Sequence, residues 1–295
     1  MKPSRLRALF LTARPKTLSA AVVPVLVGTA LPLAEGKSVV WWVTVCALLS
    51  AVFIQIGTNF INDALDFIKG ADRETRLGEA RATQSGWFTS NSVLAMGFGF
   101  FAAAALCGLP LVMKGGTAIL IIGMISLLMG YAYTGGPFPL AYVGLGDLFV
   151  VLFFGLVAVG GVYYLHTTEL TVSAIVAGLQ IGFLATTLIA INNLRDLDQD
   201  RLVNKKTLAV RLGPKLGRLE VLLLIVASFA LNFYWLYQGF WPAFLLPLVA
   251  LWPSVLLVKH LLQSEASREY NGLLARGAFI HMLFGVLLSL GFILR

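Results

Sequence analysis

Residues 116–134 and 240–258 contain no charged side chain, and similar apolar runs recur along the whole of this 295-residue chain. Buried in a bilayer, such a segment must satisfy its own backbone hydrogen bonds, which leaves α-helices or a closed barrel. The runs lack the polar–apolar alternation of a barrel strand. The chain is therefore read as an all-α polytopic membrane protein. Only 12% of its residues are charged, against about 25% in a soluble domain. Nine transmembrane helices are expected, near 17–34, 39–62, 91–111, 116–134, 141–164, 171–193, 219–238, 240–259 and 273–294. They form a single domain over 1–295, and Gly239 is the expected break between the seventh and eighth spans.

A net charge of +8 would fit nucleic acid, but the placement of the charge fits a membrane topology instead. With nine spans and a cytoplasmic N-terminus, 19 of the 22 Lys and Arg fall on the cytoplasmic side; Lys37, Lys114 and Arg295 do not. That asymmetry is the positive-inside rule. The basic segment before the first span is expected to be retained, since no A-x-A-like cleavage site follows it. Cys46 and Cys107 fall inside spans without metal-ligand spacing and read as small hydrophobes. His166, His260 and His281 form no cluster.

The two long polar loops, 63–90 and 194–218, each follow an acidic run. The first run is Asn59, Asn62, Asp63, Asp66, Lys69 and Asp72; the second is Asn192, Asn193, Arg195, Asp196, Asp198 and Asp200. Of 14 acidic residues in the chain, six sit in these runs. On a helix, residues three and four apart share a face, so Asn59, Asn62, Asp63 and Asp66 form one patch and Asn192, Asp196 and Asp200 another. Like charges so placed repel, and an ionised group near lipid is costly. Oxygen-only ligands of this type suit Mg²⁺, which completes its shell with water and substrate phosphate. Two acidic sets facing each other would hold two or more ions around one diphosphate.

Nearby basic residues extend this reading: Lys69, Arg73, Arg76 and Arg81 after the first run, and Arg195, Arg201, Lys205, Lys206 and Arg211 around the second. They would neutralise a leaving diphosphate. An allylic cation formed by that departure needs a dry, aromatic surrounding. Tyr131, Tyr133, Tyr142, Tyr163 and Tyr164 are candidates for it. The bland readings are a solvated helix end for a single acidic pair, topology for any one basic residue, and an interface belt for the tyrosines. Asp66 and Asp196 are 130 positions apart and their helices are four spans apart in order, which raises the expectation of a four-helix internal repeat.

At these residues the chain resembles the UbiA superfamily of membrane prenyltransferases, whose two aspartate-rich motifs match the two runs. Within it the chain is similar to the dihydroxynaphthoate polyprenyltransferases of menaquinone biosynthesis. Four stretches carry this: Ala13-Arg14-Pro15-Lys16-Thr17-Leu18; Asn62-Asp63 through Lys69-Gly70, Asp72, Arg76 and Gly78; Tyr133-Thr134-Gly135-Gly136-Pro137 through Gly144-Leu145-Gly146-Asp147; and Asn192-Asn193, Arg195-Asp196 and Asp200 through Lys206-Thr207-Leu208-Ala209-Val210. The resemblance implies nine helices around a central cavity with cytoplasmic cap loops. It implies Mg²⁺ and two substrates, a polyprenyl diphosphate and an aromatic acid.

By carry-over, the metal and diphosphate ligands are Asn62, Asp66, Asp196 and Asp200, with Asp63, Asp72 and Asn192 beside them. The expected catalytic residues are Asp66, Asp196 and Asp200, and Lys69, Arg76, Arg195 and Lys206 are expected on the diphosphate. Tyr131, Tyr133 and Tyr163 are expected at the acceptor or cation. Arg14 and Lys16 match a signature without a derivable role. Asn204-Lys205-Lys206 departs from a pattern with Gly before the Lys, and Glu79 stands where Pro is common.

The expected reaction is Mg²⁺-dependent transfer of a polyprenyl chain to 1,4-dihydroxy-2-naphthoate in a bacterial inner membrane, with loss of diphosphate and CO₂. Rival readings are a hydroxybenzoate, homogentisate or tetrapyrrole acceptor, and an ion-coupled transporter. A transporter would place its carboxylates near the midplane. A CDP-alcohol phosphotransferase would concentrate its aspartates in one motif.

Overall fold

The computed structural model describes residues 3–72 and 77–295, and among these all regular structure is helical. In chain order the helices are α1 (Arg5–Ala13), α2 (Ser19–Ala34), α3 (Trp41–Ile68), α4 (Ser90–Ala132), α5 (Gly146–Thr167), α6 (Val172–Arg195), α7 (Leu197–Leu202), α8 (Leu208–Tyr237), α9 (Trp241–Gln263) and α10 (Tyr270–Ile293). Seven of them are long and apolar enough to cross a membrane, or eight if the bent pair of 5–17 and 19–34 counts as one span.

The expected spans 91–111 and 116–134 are the two arms of the 43-residue α4, which is kinked at Gly116. A straight helix of that length would run about 65 Å, twice the hydrocarbon core. It does not run straight. Gly116 takes φ 65° and ψ −152°, a conformation open to a residue without Cβ. Both arms then lie against α3: Gly97 meets Ile61, and Gly130 meets Thr58 of α3 and Phe101 of the first arm. The expected break at Gly239 is present, with φ 78°. The preceding helix starts at Leu208, well before the expected 219. Its first turns carry Arg211, Lys215 and Arg218 and are kinked at Gly213-Pro214, so they do not read as an apolar run. The span expected from 141 starts at Gly146, because turns with positive φ at Gly136 and Gly144 precede it.

The centre of the bundle is α6. In its most apolar window 78% of residues are buried, against 11% for α4. It packs against α8, α5, α10 and α2. The α5–α6 crossing is set by glycines. A Cβ on Gly155 would lie 2.4 Å from the Gly178 carbonyl oxygen and 2.7 Å from Gly182 Cα. Small residues four apart let helix backbones approach this closely in lipid. Here α5 is also π-helical, over Val151–Val157, a feature frequent at functional sites. Replacing Gly182 by leucine forces the crossing apart and should destabilise the protein by about 1–3 kcal/mol. The measurement is the thermal midpoint in detergent, and an unchanged midpoint would show that the crossing tolerates a side chain.

One end of the bundle is capped by four segments. Asn59 Nδ2 donates to the Ala13 carbonyl (2.9 Å) and to Thr17 Oγ1 (3.1 Å), which docks the N-terminal arm. Lys16 pairs with Glu79 at 2.5 Å, tying that arm to the first acidic loop. Asn271 Nδ2 at the start of α10 donates to the Leu77 carbonyl (2.9 Å). The backbone N–H of Lys206 donates to the Tyr142 carbonyl (2.9 Å).

Candidate active site

Under this cap lies a cavity of about 350 Å³. Asn59, Asn62 and Asp66 reach it from the end of α3, and Asn192 and Asn193 from the end of α6. Arg14, Arg81, Lys205 and Thr134 come from the cap. Away from the cap its wall turns apolar, through Leu111, Val112, Ile119, Ile122 and Leu165. The gradient follows the sequence: each acidic run is the last turn of an apolar helix, so its polar groups face the cap while the rest of the helix faces hydrocarbon.

The two runs meet through Tyr142. Its phenol donates to Asp66 Oδ1 at 3.0 Å, and its ring carries the Lys69 ammonium at 4.7 Å and the Lys205 ammonium at 5.7 Å. Lys205 Nζ reaches Asp200 Oδ1 at 3.3 Å. Burial opposes the charge on Lys205, but Asp200, Asp66 and Asp196 together outweigh it and hold the ammonium above its ordinary pKa. Burial, the field of Asp66 and the hydrogen bond to Asp66 push the Tyr142 phenol up. Burial also pushes the Asp200 carboxyl up to about 6 against the pull of Lys205. Asp200 Oδ2 is buried without a hydrogen-bond partner.

The expected site residues divide into those around the cavity and those used elsewhere. Asn62 accepts from the Thr134 hydroxyl (2.6 Å) on the cavity wall. Arg81 lies between Asp66 (3.3 Å) and Asp72 (3.4 Å) and keeps a buried Nη1 without a partner. Asp72 is thus committed to Arg81 and does not line the cavity. Arg195 is not aimed at the cavity either. It grips both Asp196 oxygens (2.8 and 2.6 Å), Asn192 Oδ1 (2.8 Å) and Asn271 Oδ1 (2.7 Å), so it positions the second motif. Lys69 donates to the Thr134 carbonyl and also stays off the wall. The side chain of Lys206 is exposed, and its neighbour Lys205 occupies the cavity instead. Arg73 and Arg76 lie outside the described residues.

Asp63 departs furthest from the expected ligand set. Its carboxylate accepts from the Ala82 N–H (2.9 Å), the Thr83 N–H (2.9 Å) and the Thr83 hydroxyl (2.6 Å), and it is 1% exposed. It holds the loop that carries Arg81. Asp63→Ala leaves two buried N–H groups unmatched and should destabilise the protein by about 2–4 kcal/mol. Thermal unfolding will show this, while the Mg²⁺ half-saturation of Asp63→Asn should stay at the wild-type value. A shifted Mg²⁺ requirement would return Asp63 to the ligands.

Of the tyrosines, Tyr133 lines the cavity. Its ring begins an aromatic wall with Phe149 (5.8 Å between centroids) and Phe153 (4.5 Å from Phe149). Tyr131 packs on Phe98 at 6.1 Å, away from the cavity. Tyr163 is fully buried toward the opposite end of the bundle, bonded to Glu35 and to Lys37 (3.3 Å). Tyr164 joins the cluster around Leu165. Tyr131 lies in the last turn of α4, Tyr133 in the turn after it, and Tyr163 and Tyr164 on α5, so which of them meets the cavity depends on what packs against each element. Sequence reasoning assigned nothing to Asp147, Phe149 or Phe153. A lone carboxylate inside the apolar span expected at 141–164 was the available signal for Asp147.

The donor set suits Mg²⁺. It is all oxygen, and one buried carboxylate oxygen lacks a partner. Among the described residues no three His, Cys, Asp or Glu converge on one point. A Mg²⁺ that takes one or two carboxylates and fills its shell from phosphate and water does not require three.

A family model described as the UbiA prenyltransferase family matches residues 21–283. The chain is 35% identical to the 1,4-dihydroxy-2-naphthoate octaprenyltransferase of Haemophilus influenzae, across 96% of this chain and 94% of that one. It is 37% identical to the protein of the same name from Mycobacterium tuberculosis, over 75% of each. Among solved structures, a UbiA homologue from Archaeoglobus fulgidus bound to DMAPP and Mg²⁺ superposes with a TM-score of 0.66 at 18% identity, covering 97% of this chain and 98% of that one.

Proposed function

This chain belongs to the UbiA prenyltransferase family, and on that premise we propose that it transfers a polyprenyl chain from polyprenyl diphosphate to 1,4-dihydroxy-2-naphthoate, with Mg²⁺ and with release of diphosphate and CO₂. One observation supports the reading: an apolar cavity inside a membrane bundle that ends under a cap, where Asn62 and Asp66 of the first run and Asn192 of the second share its wall with Arg81 and Lys205.

Asp66, Asp200 and Asn62 would hold the metal, with Asp196 and Asn192 kept in register by Arg195. Bound there, Mg²⁺ supplies charge stabilisation to a diphosphate leaving group. Arg81 Nη1 and Lys205 lie where they can take up the rest of that charge. The C–O bond of the allylic diphosphate breaks with its electron pair going to diphosphate. The allylic cation then faces Tyr133, Phe149 and Phe153, whose rings favour positive charge. The apolar end of the cavity takes the prenyl tail and excludes water. The ring of the acceptor attacks the cation at the carbon that bears its carboxyl group. In this reading the cap faces the cytoplasm of a bacterium, which the Lys and Arg asymmetry of the loops supports. Taking the two arms of α4 as separate crossings, together with the bent pair, gives nine.

The test is product formation by purified protein with Mg²⁺ and an all-trans polyprenyl diphosphate, with dihydroxynaphthoate and hydroxybenzoate in parallel. Demethylmenaquinone from the naphthoate alone supports the reading. Turnover with hydroxybenzoate alone keeps the family chemistry and replaces the acceptor.

A further inference from the structure

Asp147 opens α5 and is the one carboxylate on the apolar part of the cavity wall that belongs to neither acidic run. It is 7% exposed, and among the described residues no other residue donates a hydrogen bond to either of its oxygens. Burying a carboxyl with nothing to accept from is unfavourable by several kcal/mol. Among the described residues no cation pairs with it, and no second and third ligand makes it part of a metal site. The backbone turns Tyr133 toward it: a Cβ on Gly146 would sit 3.2 Å from the Tyr133 hydroxyl. Tyr133 and Glu220 are the ionisable groups whose fields couple to it.

A group with only acceptor capacity needs a donor. Taking the proposed reaction as premise, the diphosphate is itself an acceptor and the prenyl tail has no polar atom. The hydroxyls of the aromatic substrate are the donors that remain. We propose that Asp147 binds the hydroxyl of the aromatic acceptor conjugated to its reacting carbon and serves as the general base for it. The same charge repels the carboxylate of the acceptor, which therefore turns toward the basic cap at Arg14, Arg81 and Lys205. Asp147 thus fixes which edge of the ring faces the allylic cation.

The electrons balance as follows. The O–H proton passes to Asp147 and its bond pair stays on oxygen. That oxygen becomes a ring ketone as the ring carbon bonds to C1 of the prenyl chain. The new centre is a β-keto acid. It loses CO₂, and the freed pair restores the aromatic ring as a phenolate. Asp147 returns the proton, so no other acid or base is consumed.

Asp147→Asn is the test, assayed in the full-length purified protein with Mg²⁺, polyprenyl diphosphate and dihydroxynaphthoate. Loss of a general base lowers kcat by about 10²–10⁴-fold. The expected result is that loss, with the prenyl diphosphate KM and the Mg²⁺ half-saturation within about twofold of wild type. Raising the pH should also partly rescue the variant, because an acceptor that has already ionised needs no base. An undiminished kcat in an active background overturns the proposal. So does a loss of diphosphate binding, which would assign the carboxyl to structure, or a shifted Mg²⁺ requirement, which would assign it to the metal. A wild type inactive with naphthoate but active with hydroxybenzoate overturns the acceptor reading alone, and Asp147→Asn is then judged on hydroxybenzoate. A wild type inactive with both overturns the functional reading and this inference with it.

Discussion

Asp200→Asn will lower kcat by about 10³-fold while the protein keeps its fold, a difference of about 4 kcal/mol in transition-state stabilisation. Asp200 is the cleanest of the motif aspartates to test. Among the described residues its carboxylate pairs with the Lys205 ammonium (3.3 Å) alone, and its second oxygen is buried without a partner. Removing its charge therefore breaks little in the resting protein. In the proposed reaction it removes a hard oxygen ligand from beside the leaving diphosphate. Asp66→Asn should lose as much activity and somewhat more stability, because Tyr142 and Arg81 both lean on it. Asp196→Ala mixes the two effects. It strands the 4%-exposed Arg195, and an uncompensated buried charge costs about 3–5 kcal/mol. The check is kcat alongside the thermal midpoint for all three. Wild-type turnover in Asp200→Asn would remove the second motif from the chemistry.

Lys205→Gln will lower kcat by about 10²-fold, and Lys206→Gln will stay within about twofold of wild type. The two lysines are adjacent, and a family pattern alone favours the second. The structure separates them. Lys205 stands on the cavity wall between Asp200 and the Tyr142 ring, whereas the Lys206 side chain is exposed and its backbone carries the contacts. Removing one fixed charge from a developing anion in a dry site is worth about 10²–10³ in rate. Parallel kinetics on the two variants decide it. Equal losses, or a larger loss at Lys206, would mean that the loop after α7 closes differently when substrate is bound.

The membrane class, the helical class and the two acidic helix ends were legible because each depends on a local property. Apolar length forces helices in lipid, and carboxylates clustered at helix ends are expensive enough to stand out. The break at Gly239 was legible for the same reason. The turning point of α4 at Gly116 was legible too, since the spans expected at 91–111 and 116–134 lie on either side of it. The start of α8 was missed because its first turns are amphipathic rather than apolar.

The composition and order of the chain by themselves determined a multi-pass helical bundle with two oxygen-rich helix ends beside basic loops. Which of those polar groups reaches the cavity was decided by tertiary structure alone. Asp63 and Asp66 are three residues apart on one helix, yet one holds a loop and the other faces the cavity. Tyr133 and Tyr163 differ in the same way, as do Lys205 and Lys206. Periodicity places a side chain on a face, but the partner packed on that face settles whether its polar atoms are already satisfied or wait for a ligand. That is a fact about segments distant in the chain, such as Thr83 beside Asp63 or Asn271 beside Arg195.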